Sequence, residues 1–254
     1  MKISSILILA AGKGTRLRPY TNNCPKSLLP LGATNVLRNL IMQSQNYFPR
    51  VEIFINTSYL AEKIIEEISL FPLKSRPHVI WENKLLGPAV TVMNHCNSTD
   101  DNVLVLHGDT FFSDLTFSKL AYSISNKIDE VSLLLCHRKE KQYARSQISQ
   151  QGGVIKSISE TTIDILVKES QLRQDSEKVW SSSGALVVKG KSLLSYKAEI
   201  AASLSPSLIN YIARTQTLYL EKCADVRISI DSEKSYLSAI QMKQACEELF
   251  HRTF

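Results

Sequence analysis

The sequence predicts an α/β protein built around a mostly parallel sheet. Three observations lead there. Over roughly the first 135 residues, short apolar runs alternate with stretches of helical periodicity, the pattern of strand–helix–strand units. The first run, Ser5 to Leu9, is continuously apolar and is read as a strand buried on both faces. Two polar segments, Ala10 to Arg16 and His107 to Thr110, leave the ends of apolar runs. Ligands of such sheets sit beyond the carboxyl ends of the strands.

The elements follow in order. After Ser5–Leu9, Asn35 is placed to cap a helix from Val36 to Phe48, with Leu37, Leu40 and Ile41 at helical spacing. VEIFIN, Val51 to Asn56, is a second strand, and Ser58 is expected to cap a helix through YLAEKIIEEISLF. HVIW, His78 to Trp81, is a third strand, and GPAVTVMNHC opens a helix. NVLVLHGD, Asn102 to Asp109, is a fourth strand ending in Gly-Asp. LTFSKLAYSI is helical and EVSLLLC returns to strand. From about Tyr143 the pattern becomes β-rich, with GGVIKSISE, TIDILVKE and SSSGALVVKG as extra strands. SPSLINYIART and DSEKSYLSAIQMKQACEELF return to helix. One domain over 1–254 is expected, in two halves, 1–142 and, with the last helix, 143–254.

Composition excludes several classes. The 254 residues are 44% hydrophobic and 21% charged, ordinary for a globular protein able to bury a sizeable core. No apolar run reaches the roughly 18 residues that a membrane helix needs. The opening apolar run leads into glycine and arginine rather than a cleavage site, so it is read as a strand, and a cytoplasmic location is expected. Five scattered cysteines without a CxxC point to reduced thiols rather than disulfides or zinc. Net charge is +6, and no Asp or Glu occurs from Met1 to Val51. That span carries Lys2, Lys13, Arg16, Arg18, Lys26, Arg38 and Arg50. Basicity gathered at one loop suits a phosphate-rich small ligand. Nucleic acid is not expected, because only Tyr20 supplies an aromatic ring there.

The loop Gly12-Lys13-Gly14-Thr15-Arg16 lacks the GxxxxGK[ST] of a Walker loop, and Leu17 breaks a GxGxxG fingerprint. It fits nucleotidyl transfer. Glycines let backbone N–H groups approach phosphates, Arg16 offers a planar fork of donors, and Lys26 after Pro25 can set a compact charge on the α-phosphate.

LAAGKGTRLRPYTNNCPKSLLPLG resembles the signature of the sugar-1-phosphate nucleotidylyltransferases, the family of mannose-1-phosphate guanylyltransferases and glucose-1-phosphate thymidylyl- and uridylyltransferases. INTSYLAEKI, ENKLLGPA, LHGDTFF, SGALVV and DSEKSYLSA are similar to further family segments. The resemblance implies a Rossmann-related, GT-A-like fold with a mostly parallel sheet flanked by helices and an added β-rich acceptor portion, 1–142 being the nucleotide-binding half and 143–254 the acceptor-binding half with the C-terminal helix. It implies Mg²⁺-assisted, in-line attack of a sugar 1-phosphate on the α-phosphate of an NTP. Neighbouring alternatives are a phosphocholine-type or other non-sugar cytidylyltransferase and a catalytically weak nucleotide sensor.

The site residues are then Arg16, Lys26 and Asp109 for catalysis. Leu9, Ala11, Gly12, Gly14, Thr15, Arg16, Glu82 and Gly87 would hold the nucleotide. Glu160 and Gly184 would hold the acceptor, with Lys156 or Lys168 replacing a lysine missing at Thr161. Asp109 and Asp231 would bind magnesium; Ser229 stands where the family has its first Asp, and Asp231 is also placed to cap the last helix. Glu82 suits guanine's N–H donors, so GTP leads, with UTP or CTP open. His107 is read as a packed histidine. The apolar last helix is compatible with a homodimer. No fused acyltransferase is expected after it.

Overall fold

A computed structural model describes residues 2–126, 132–139, 154–157, 163–167, 179–193, 195–196, 204, 208–209, 211–212, 218–223 and 227–241. Along 132–139, 154–157, 163–167, 179–181, 218–223 and at 227 only the backbone is described. The chain forms two compact units, one of Ile6–Leu85, Leu106–Phe117 and Val226–Phe254, the other of Met1–Ser5, Leu86–Val105 and Ser118–Asp225.

The first of these units holds the basic loop. Its sheet begins with β1 (Ser5–Leu9), whose Ile6, Leu7 and Ile8 are fully buried. A small ribbon, β2 (Pro30–Leu31) with β3 (Thr34–Asn35), follows the loop. Helix α1 (Val36–Tyr47) starts where expected, because Asn35 Oδ1 accepts the Arg38 N–H at 2.7 Å. It buries Val36, Leu37, Leu40 and Ile41. Strand β4 (Glu52–Thr57) lies beside β1, and parallel β5 (His78–Trp81) forms the edge.

Between them, α2 (Ala61–Ser69) corrects the sequence reading. Ser58 does not cap it. The chain enters through Leu60 at φ 50° with no side-chain cap. The Tyr59 hydroxyl donates to the carbonyls of Thr21 and Asn22, at 3.0 and 2.9 Å, and the helix begins at Ala61, after the Leu60 turn.

In the other unit, α3 (Pro88–His95) begins with proline, which lacks the N–H that a first helical residue leaves unused. Strand β6 (Asn102–His107) then runs on into the loop-bearing unit, fully burying Val103 to Leu106. Strand β7 (Thr110–Phe112) and helix α4 (Asp114–Asn126) follow. The rings of Phe112 and Phe117 meet edge to face at 6.3 Å in the core of the loop-bearing unit.

The strands expected in EVSLLLC, GGVIKSISE, TIDILVKE and SSSGALVVKG are present as β8 (Ser132–Lys139), β9 (Val154–Ser157), β10 (Ile163–Val167) and β11 (Val179–Lys189). A further strand that the sequence reading did not include, β12 (Leu218–Cys223), joins them. Strand β11 pairs antiparallel with β8 and β9, β10 pairs antiparallel with β9, and β12 pairs parallel with β8. The β11–β8 register slips between Ser182 and Leu186, around Gly184 at φ 84°. Back in the loop-bearing unit, β13 (Arg227–Ser229) pairs antiparallel with β7, and 233–241 are helical. Among the described residues no helix is long and apolar enough to cross a membrane.

Candidate active site

Four charged side chains meet in the loop-bearing unit, each delivered by a different local device. Lys26 sits on a short 3₁₀ turn that starts after Pro25. Asp109 follows β6 through Gly108. The Gly108 N–H donates to the Leu9 carbonyl at 2.9 Å, and a Cβ there would stand 2.7 Å from that same oxygen, so only glycine lets β6 end against β1.

Asp231 follows β13. The pairing of β13 with β7 is prolonged when the Ile230 N–H donates to the Asp109 carbonyl at 2.9 Å, which brings the two aspartates side by side. Asp231 does not cap the last helix. Ser232 Oγ accepts the Ser235 N–H at 3.3 Å, and Ser235 Oγ accepts the N–H groups of Ser232 and Asp231 at 3.0 and 2.9 Å. This reciprocal serine cap releases the Asp231 carboxylate. Asp109 caps nothing either: Ser113 Oγ accepts the Thr116 N–H at the start of α4.

Lys26 Nζ donates to Asp109 Oδ2 at 2.6 Å and to Asp231 Oδ1 at 2.7 Å. Arg16 Nη2 lies 3.7 Å from Asp231 Oδ1. Lys26 is 14% exposed, Asp109 28%, Asp231 44% and Arg16 59%, so the cluster opens to solvent on the Arg16 side. Burial pushes the Asp109 carboxyl up, but the Lys26 ammonium, His107 and hydrogen bonds from Lys26 and Thr110 hold it below the usual carboxylate value. Burial also pulls Lys26 down, and the two carboxylates overcome it and raise the amine. Both groups are therefore charged at neutral pH. Two cations face two carboxylates, and the cluster is close to neutral.

The loop ahead of it uses its two glycines differently. Gly14 has φ 61°, and its carbonyl accepts the Leu17 N–H at 2.9 Å and the Thr21 hydroxyl at 2.8 Å. A Cβ on Gly12 would meet nothing within 4 Å. Thr15 and Arg16 are exposed on the turn that follows, while Ala11 is buried. The last helix ties the loop down: Tyr20 Oη donates to Glu233 at 2.8 Å, and Tyr236 Oη to the Pro30 carbonyl at 2.9 Å.

Asn56 was not singled out from the sequence, although a polar side chain at the end of an apolar strand is a signal. Its Oδ1 accepts the Ala10 N–H at 2.7 Å and its Nδ2 donates to Glu82 Oε1 at 2.9 Å. Glu82 is only 5% exposed. Asn56→Ala would leave the buried Ala10 N–H without its acceptor and take one donor from the buried Glu82 carboxylate, at a cost of about 1–3 kcal/mol. Urea unfolding should show it, and Glu82→Gln, which keeps an acceptor for Asn56, should lose less. Thr110 and Ser229 hydroxyls lie 3.2 Å apart, a direct contact where β7 meets β13.

Gly87 and Gly184 belong to the other unit. Gly87, at φ 92°, accepts the Thr91 N–H and hydroxyl at the start of α3. Glu160 and Lys168 lie outside the described residues, and of Lys156 only the backbone is described.

The family model described as nucleotidyl transferase matches residues 5–163, more than half of the chain. This chain belongs to the nucleotidyl transferase family. The family resemblance drawn from the opening motif is thereby borne out. The transferase is 34% identical over 125 residues to the bifunctional protein GlmU of Methanococcus maripaludis strain C7, a match covering 49% of this chain and 29% of that protein. Its structure is similar to HddC from Yersinia pseudotuberculosis, with a TM-score of 0.70 and 20% identity over 94% of this chain and 99% of that one. It is also similar to UDP-glucose pyrophosphorylase from Acinetobacter baumanii, with a TM-score of 0.71 and 17% identity over 98% and 100%. These two structures show a shared fold, the mostly parallel, helix-flanked sheet predicted for this transferase.

Proposed function

We propose that this nucleotidyl transferase condenses a nucleoside triphosphate with a sugar 1-phosphate, giving an NDP-sugar and pyrophosphate. The observation that carries the reading is the Lys26 ammonium bridging Asp109 and Asp231 beside the Gly12–Arg16 loop.

The donor set fits a divalent cation, because two carboxylates already share one positive charge, the Lys26 ammonium standing in for it. Among the described residues no third His, Cys, Asp or Glu joins them. That suits magnesium, which is held by one or two carboxylates with the substrate's phosphates and water completing its shell. Asp109 and Asp231 would hold it. Bound there, it would offset the phosphate charge and orient the displacement.

The chain's own groups do the rest. The open surface at Gly12 lets the triphosphate approach the backbone. Arg16, half exposed, presents its guanidinium to the β- and γ-phosphates. Lys26 meets the charge that builds on the α-phosphate as the sugar phosphate oxygen forms its bond to phosphorus and the bond to the leaving pyrophosphate breaks. No covalent enzyme intermediate is involved. Glu82 Oε1 takes the Asn56 amide, and a carboxylate that suits guanine's N–H donors keeps GTP in the lead in this proposal, with UTP and CTP open.

The test is a matrix of five nucleoside triphosphates against a panel of sugar 1-phosphates and phosphocholine, with magnesium, read by pyrophosphate release. One or a few sugar 1-phosphates should give turnover. Release with phosphocholine alone would identify a cytidylyltransferase instead. Tight nucleotide binding without release for any acceptor would identify a sensor.

A further inference from the structure

The Lys26 ammonium occupies the position between Asp109 and Asp231 that the proposed chemistry reserves for a metal ion. Its three donors can serve both carboxylates at once, and they do so at 2.6 and 2.7 Å. We propose that Lys26 is a built-in competitor for the divalent cation: without nucleotide it closes the carboxylate pair to metal, and the incoming triphosphate draws it away, so that metal and nucleotide enter together. This rests on the reading that the aspartate pair holds magnesium.

Three features carry it. A metal ion entering alone would have to break both ion pairs and leave an ammonium, 14% exposed, beside a new double positive charge. Arg16 is already 3.7 Å from Asp231, so the released charge has no vacant acid among these four groups to move to. Two carboxylates with no third metal-binding side chain among the described residues are also a poor site by themselves, since the remaining ligands must come from elsewhere. A triphosphate removes all three obstacles. It brings oxygens for the metal, and it offers the Lys26 ammonium new anionic partners. The flexible four-carbon stem of lysine allows the move, where the planar fork of an arginine would not follow as readily.

The experiment uses the full chain without nucleotide and Mn²⁺ as the probe, with free Mn²⁺ read by electron paramagnetic resonance. Wild type should bind weakly. Lys26→Met, and Lys26→Gln should the methionine variant fold poorly, should bind at least about tenfold tighter, because the competing charge is gone. Mn²⁺ alone should raise the thermal midpoint of the Lys26 variants and not that of wild type, since only a ligand of the native state stabilises it. Adding Asp109→Asn to either variant should abolish the gain. The proposal is overturned if wild type binds Mn²⁺ as tightly as the Lys26 variants, or if the gain survives loss of Asp109. Failure of the pyrophosphate assay would sink the proposed reaction and leave these binding results unchanged, so the two readings fail separately.

Discussion

Lys26→Ala should release pyrophosphate about 10²–10³ times more slowly than wild type, the usual loss when one preorganised transition-state donor is removed. The effect belongs in kcat, because the charge it answers grows on the α-phosphate only as the new bond forms. Steady-state pyrophosphate release at saturating nucleotide and magnesium measures it. Saturating magnesium matters, since the same change frees the aspartate pair and should tighten metal binding. Slower turnover with tighter metal is a combination that general damage to the site does not produce. Lys26→Arg should rescue little, because a broad, planar guanidinium cannot set the compact point charge of an ammonium on the α-phosphate. Stability should fall as well, by about 1–3 kcal/mol, between the small loss for an exposed pair and the larger one for a buried pair. Asp231, at 44% exposure, keeps the figure from the upper end. Near wild-type turnover in Lys26→Ala would remove this residue from the mechanism.

How much of this was readable beforehand depended on whether the cause was local. The strands β1 and β6 are continuous apolar runs because each is covered on both faces, and such runs show in the sequence. The α1 boundary was readable because Asn35 caps within three residues of itself. The start of α2 was not, because the chain enters it through Leu60 at φ 50°, next to a Tyr59 whose hydroxyl bonds Thr21 and Asn22, 38 and 37 positions away. Lys26 and Asp109 stood out as charges in segments shaped by proline, glycine and a buried strand. The role of Asp231 was undecided, since Asp231, Ser232 and Ser235 are all residue types that cap helices. In the fold the two serines do so. Asn56 joins Ala10 to Glu82 across separations of 46 and 26 residues, which no short window reveals.

The two loop glycines give the second large effect, and the contrast between them separates fold from binding. Gly14→Ala should be destabilised by about 1–3 kcal/mol, because φ 61° is strained for any residue with a side chain. Its new Cβ would also press within 2.9 Å of Thr21 Cγ2 and 3.2 Å of Lys26 Cβ. Thr21, whose hydroxyl bonds the Gly14 carbonyl, and Lys26, whose ammonium bridges the aspartates, would both have to shift to make room. Turnover and thermal midpoint should therefore fall together. Gly12→Ala meets nothing within 4 Å and has no positive φ to relieve, so its thermal midpoint should match wild type. If a triphosphate lies over that open surface, the added methyl stands between it and the backbone, and KM for the nucleotide should rise by about tenfold or more, the equivalent of losing one charge-assisted hydrogen bond. Differential scanning fluorimetry and nucleotide titrations on both variants decide the matter. An unchanged KM in Gly12→Ala would mean that the phosphates lie elsewhere, because nothing in the fold itself requires that position to be bare.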